Sequence, residues 1–163
     1  MKTLLLMRHA KSSWKQPGVA DRDRPLNKRG RRDAPKMGNL LWEKDLVPHC
    51  ILSSTALRAR QTAEAVAEAA GYDGEILCLD ELYAATPFDY LEALRSVPDG
   101  DNVVLVIGHN PDLEDVLEIM TDQVERMPTA AIAHLRLPIE YWTNLSDDTM
   151  AEWVQVWRPR ELA

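Results

Sequence analysis

Four short apolar runs of strand length punctuate the chain: Leu4 to Met7, Cys50 to Ser53, Ile76 to Leu79 and Val103 to Ile107. The segments between them carry helical periodicity. Strands that alternate with helices predict an α/β fold in three layers, a mainly parallel central sheet with helices on both faces. Toward the end the pattern changes, and "AAIAHLRLP" and "MAEWVQVWRP" alternate with period two. That alternation predicts two antiparallel strands added at an edge of the sheet. Residues 1–163 read as one domain.

Three helices have recognisable starts. In "SSTALRARQTAEAVAEAAG", Ser54 is a candidate N-cap, Gly71 a C′ stop, and Ala56, Ala59, Ala63, Val66, Ala67 and Ala70 form a stripe of small side chains suited to close packing on the sheet. "TPFDYLEALRSV" offers Thr86 as cap, Pro87 at the first position and Asp89 in the first turn. "NPDLEDVLEIM" repeats the device with Asn110 and Pro111, then spaces Leu113, Val116, Leu117 and Met120 as a core stripe. A fourth helix ends near Trp42. It starts at Asp33, or else at Asn27 with a kink, because Pro35 removes a backbone donor from the interior.

Composition narrows the setting. A chain of 163 residues with 45% hydrophobic and 28% charged content can bury enough core to need no disulfide or metal staple. Leu4 to Met7 is too short for the apolar region of a signal peptide, and no stretch approaches membrane-spanning length. A cytoplasmic protein with no membrane partner is expected. Cys50 and Cys78 lie in or beside strand-like runs without metal-ligand spacing, so buried reduced thiols are expected.

The net charge of −7 hides an asymmetry, since residues 1–35 carry +7 and the remainder −14. A basic lobe on an acidic protein suggests an anionic ligand. Nucleic acid is a poor fit, because "RDRPLNKRGRR" has no interleaved aromatics for base stacking and the acidic remainder would repel a polyanion.

The candidate chemistry sits at strand ends. In "LLLMRHAKS" an apolar strand ends in Arg8 and His9, a pair that costs desolvation unless a partner or ligand meets it. His109 follows "VVLVIG" in the same way. Ligands of open α/β sheets bind outside the carboxyl ends of the strands, so the two histidines can share one crevice. Arg58 lies near the start of its helix, where a cation is slightly unfavourable unless an anion joins it.

"LMRHA", "SSTALRARQTA" and "VIGHNP", in this order and spacing, resemble the three signature blocks of the histidine phosphatase superfamily, which includes the cofactor-dependent phosphoglycerate mutases. "RHAKSSW", "RPLNKRGRRDAP" and "WRPREL" are most similar to its phosphohistidine phosphatase branch. The resemblance implies a mainly parallel α/β fold, no metal or other cofactor, and catalysis through a phosphorylated histidine. His9 matches the nucleophile, and Arg8, Arg58 and His109 match the groups that hold the phosphoryl oxygens. The implied substrate is a phosphorylated protein or a small phosphate ester. Phosphoryl transfer suits these residue types, since an imidazole can attack phosphorus while guanidiniums grip the oxygens in forked hydrogen bonds. His9 then has to be neutral and His109 protonated, which predicts a bell-shaped rate profile near neutral pH. The carbonyl after the first strand, or Ser53, is expected to orient His9.

Glu81 in "LDELYAATP" is the nearest positional match to the carboxylate that protonates the leaving oxygen in relatives. Lys11 and Lys15 stand where the mutases carry Glu and a phosphate-contacting Asn, which argues against mutase activity. Lys11, Ser12, Lys15 and Asn110 are left as candidate substrate contacts, and Trp14 as a candidate pocket wall. His49 and His134 read as ordinary surface or strand histidines, and Trp42, Trp142, Trp153 and Trp157 as packing. The alternatives are an ester phosphatase or mutase, and a phosphate- or nucleic-acid-binding module without catalysis.

Overall fold

The computed structural model describes residues 1–162. One six-stranded sheet is built from β1 (Lys2–Arg8), β2 (Cys50–Ser54), β3 (Ile76–Leu79), β4 (Val103–Gly108), β5 (Ile132–Leu137) and β6 (Glu152–Trp157), in the order β3-β2-β4-β1-β5-β6. The first four positions in that order are parallel. β5 runs antiparallel to β1, and β6 antiparallel to β5. The helices are α1 (Lys28–Glu43), α2 (Leu57–Ala70), α3 (Pro87–Arg95) and α4 (Asp112–Thr121).

Strand pleating divides the core. Leu5, Met7, Leu105 and Ile107 pack with residues of α1 and α2, whereas Leu4, Leu6, Val104 and Val106 pack with residues of α3 and α4. A strand buried on both faces needs apolar residues at consecutive positions. The uninterrupted runs in the sequence are the consequence.

Helix ends show where local signals hold. α1 is capped by Asn27, whose side chain accepts from the Gly30 amide at 2.9 Å. The helix continues through Pro35, which leaves the Arg31 carbonyl without its helical donor, and Arg31 lies at the exposed surface where water can serve. Gly71 ends α2 in the left-handed conformation, φ 75°. At α3 Thr86 and Pro87 take the expected cap and first positions, and the Asp89 carboxylate accepts from the Thr86 amide at 2.8 Å.

Four expectations need correcting. Ser54 belongs to β2, and α2 begins only at Leu57 after Ala56. The Ser54 hydroxyl still accepts from the Ala56 amide at 3.2 Å, which explains why it resembles a cap. Asn110 does not cap α4, which starts at Asp112 after Pro111; its amide group reaches Glu114 and Met127 instead. Cys50 is buried, but Cys78 is exposed because β3 is an edge strand without full cover. Trp142 is fully buried, whereas Trp42 lies at the surface. Among the described residues no helix is long and apolar enough to cross a membrane.

The small-residue stripe of α2 brings α1 close. Gly38 of α1 lies so near α2 that a Cβ there would sit 2.6 Å from the Val66 carbonyl oxygen and 2.8 Å from the Ala69 Cβ. Overpacking against backbone typically costs about 1–3 kcal/mol. Gly38→Ala is therefore expected to lower stability by about that amount in urea denaturation. An unchanged midpoint would mean that the two helices can part freely.

Candidate active site

β1 and β4 are neighbours in register, with Arg8 opposite Gly108. The next residue of each strand is therefore a histidine at the same end of the sheet. The His9 amide donates to the Gly108 carbonyl at 3.0 Å, and the two imidazole centroids are 5.1 Å apart. The crevice expected from two strand ends a hundred residues apart is thus formed.

His9 is buried, with Nδ1 2.7 Å from the Ala10 carbonyl oxygen. A carbonyl can only accept, so Nδ1 carries the proton and Nε2 keeps its lone pair. The backbone, not Ser53, orients His9; the Ser53 hydroxyl donates to the Ser54 carbonyl. Thr62 of α2 secures the orienting segment, its hydroxyl accepting from the Ala10 amide at 3.0 Å and donating to the Arg58 carbonyl at 2.7 Å. His109 Nε2 lies 2.8 Å from the Ser54 hydroxyl at the end of β2.

The two arginines come from opposite sides. Arg58, in the first turn of α2, is buried and donates to the Asp21 carbonyl at 2.8 Å and to the Asp21 carboxylate at 3.1 Å. Arg8 donates to the Met127 carbonyl at 3.2 Å. Among the described residues neither guanidinium finds a partner for its buried Nε. An unpaired buried donor costs about 1–3 kcal/mol, and two in one site call for an acceptor.

Arg8, His9, Arg58 and His109 line a single cavity of about 220 Å³. Lys11, Ser12, Trp14 and Arg24 form further wall, together with Asn110 and Thr129. Ser12 is buried, its hydroxyl accepting from Arg24 at 2.7 Å. Lys15 is exposed and does not line the cavity. Glu81 lies elsewhere, lining a separate cavity of about 280 Å³ with Cys50, Leu52 and Leu79. The two cavities share no lining residue, and among the described residues no carboxylate lines the histidine pocket.

Several supporting residues escaped the sequence reading. Asp21, in a short 3-10 turn (Asp21–Asp23), accepts from Arg58, from Arg24 at 3.2 Å and from the Tyr83 hydroxyl at 2.7 Å. The Tyr83 hydrogen bond and the Arg58 charge hold its carboxyl down at about 2. An acid inside the basic run "DRDRP" was the available signal for a counter-ion. Thr62 stands four residues after Arg58, one helical turn on.

Burial pushes the His9 imidazole down to about 3, and nearby His109, Arg58 and Arg8 add to the effect against the support of the Ala10 carbonyl. Burial and Arg58 push His109 down to about 4, with Asp21 opposing. The expectation of a protonated His109 does not hold in the free protein. Burial favours the neutral form of both rings near pH 7 in the free protein, and an acid limb set by His9 would lie well below neutrality.

The model for branch 1 of the histidine phosphatase superfamily matches residues 4–83. The SixA protein of Agrobacterium tumefaciens is 31% identical and superposes with a TM-score of 0.82, covering 97% of this chain and 98% of that one. The chain belongs to the histidine phosphatase superfamily. Within the superfamily its likeness is to the SixA branch, and it is a phosphatase. A SixA structure solved with tungstate shares the fold at a TM-score of 0.84 with 23% identity, covering 99% of each chain. An uncharacterised protein of Mycobacterium tuberculosis is 36% identical over 150 residues, 85% of this chain and 91% of that protein.

The neutral imidazoles give a sign for acid behaviour. An unfolded histidine titrates near 6.5, so between about pH 6.5 and 4 the unfolded chain binds protons that folded His9 and His109 refuse. Stability then falls as pH falls through that window. Urea midpoints at pH 7 and pH 5 are expected to differ more for the native protein than for His109→Asn. Equal differences would show that His109 titrates normally in the folded state.

Proposed function

We propose that the enzyme removes phosphate from phosphohistidine in proteins through a phosphorylated His9. The observation that carries this reading is the pair of unpartnered Nε donors of Arg8 and Arg58 in the same pocket as the unprotonated His9 Nε2. Both guanidiniums are preorganised to grip the oxygens of a transferring phosphoryl group, whose charge is spread over three equatorial positions. The relative solved with tungstate is a protein histidine phosphatase, which supports the same assignment.

In the proposed first step the His9 Nε2 lone pair forms a bond to phosphorus as the substrate P–N bond breaks. The electron pair of that bond stays on the departing nitrogen. A phosphoimidazole protonated on its second nitrogen leaves as neutral imidazole, so no carboxylate is needed to protonate it. A water oxygen then attacks the phosphoryl group and loses a proton to solvent; the P–Nε2 bond breaks, inorganic phosphate departs and His9 is restored. The anionic phosphoryl group supplies the charge that favours protonation of His109, which the free pocket disfavours. His109 would then carry charge only when substrate is present.

A small phosphate ester is the second candidate, but an alkoxide leaving group needs a proton, and the described pocket lining holds no carboxylate to give one. Nucleic acid and membrane are not partners in this reading.

Phosphate release from a phosphohistidine-bearing protein in excess EDTA is expected for the native enzyme. His9→Ala should fall by on the order of 10³-fold or more, and Arg58→Ala by about 10²–10³-fold in kcat. Release by native protein and His9→Ala alike would remove His9 from the mechanism. Release from small esters alone would transfer the assignment to the ester reading.

A further inference from the structure

Trp14 is the large side chain whose placement the phosphatase reading leaves unexplained. It is 73% exposed yet lines the catalytic cavity. An indole left in water gives up the burial that normally pays for its size. Its orientation is nevertheless fixed, because the Arg24 guanidinium lies over the ring 3.5 Å from its centroid. Arg24 is itself buried and cannot wander. It donates to the Ser12 hydroxyl at 2.7 Å, the Ser13 carbonyl at 3.3 Å and the Asp21 carboxylate at 3.2 Å.

One face of the indole is therefore covered by a held cation, and the exposure belongs to the rest of the ring. His9 is buried and Trp14 is exposed in the same cavity, which places the nucleophile inside and the indole at the mouth. In-line displacement puts the leaving group on the side of phosphorus away from the nucleophile. For a phosphoryl group seated against His9, that direction points out toward the mouth.

We propose that Trp14 is a stacking platform for the leaving group, so that the site prefers phosphate carried on a planar imidazole over phosphate carried on an aliphatic amine. This rests on the phosphohistidine reading above and adds the residue that reads the leaving group. A flat aromatic ring can lie offset on the open indole face. The positive charge of a protonated phosphoimidazole adds attraction to the π-system. A platform already held by Arg24 loses little freedom when the ring lands on it.

Free 3-phosphohistidine and Nε-phospholysine both present a P–N bond and differ in the aromatic ring, so they isolate this contact. The test is the ratio of their kcat/KM values in the native enzyme, Trp14→Ala, Trp14→Leu and Trp14→Phe, with undetected phospholysine turnover counted at the detection limit. Base-on-aromatic stacking removed by alanine substitution supports an expected fall of about tenfold in the ratio for Trp14→Ala and Trp14→Leu, with Trp14→Phe within about threefold of native. A ratio that stays constant while both rates fall would assign Trp14 to packing and overturn the platform. A native enzyme that releases phosphate from neither compound, nor from a phosphohistidine protein, overturns the phosphohistidine reading and the platform with it. Native turnover with an unmoved ratio overturns the platform alone.

Discussion

The contact between Arg58 and Asp21 is the interaction on which the site depends. Three guanidiniums, of Arg8, Arg24 and Arg58, line one small pocket with two neutral imidazoles, and like charges at that range raise each other's cost sharply when water is excluded. Asp21 offsets part of it with a single carboxylate, 3.1 Å from Arg58 and outside the cavity lining. The same carboxylate receives Arg24 and the Tyr83 hydroxyl. One acidic residue thereby ties the loop after β1, the start of α2 and the segment after β3 into a common wall. The positive field inside the pocket survives because the counter-charge stands behind Arg58 rather than in front of it.

Environment also makes chemically distinct groups of His9 and His109. Both are neutral for the same first reason, burial. They differ in what holds them. A carbonyl fixes the proton of His9 on Nδ1, whereas a hydroxyl, able to give or take a proton in its hydrogen bond, meets His109. The first arrangement preserves one nucleophilic nitrogen, and the second tolerates either charge state. These are the two behaviours that the proposed nucleophile and the proposed phosphate contact would each require.

Much of this was legible in the sequence because it follows from periodicity and strand ends. The runs at Leu4 and Val103 announced buried parallel strands, and Arg8, His9 and His109 directly after them fell where open sheets bind ligands. Arg58 was visible as a cation at the wrong end of a helix. What was hidden was contact between segments distant in sequence. Ser54 looked like a cap because a serine before a helix usually is one, and only the position of β4 beside β2 reveals that its hydroxyl meets His109. Glu81 matched by position, but the 3-10 turn that carries it (Asp80–Leu82) faces the cavity under α3. Cys78 was misjudged because an apolar run does not say whether its strand lies at the centre or the edge.

The adjacency of β1 and β4 has a consequence for how such a protein can change. Neighbouring strands in a sheet are held about 4.8 Å apart by their backbone hydrogen bonds, close to the 5.1 Å between the two imidazoles. The spacing of the reactive pair is thus inherited from main-chain geometry and is insensitive to side-chain drift. The segments that carry Trp14, Arg24 and Lys11 hang from strand and helix ends and obey no such ruler. New side chains can be tried at Trp14 and Lys11 without altering the strand spacing that sets the two histidines apart.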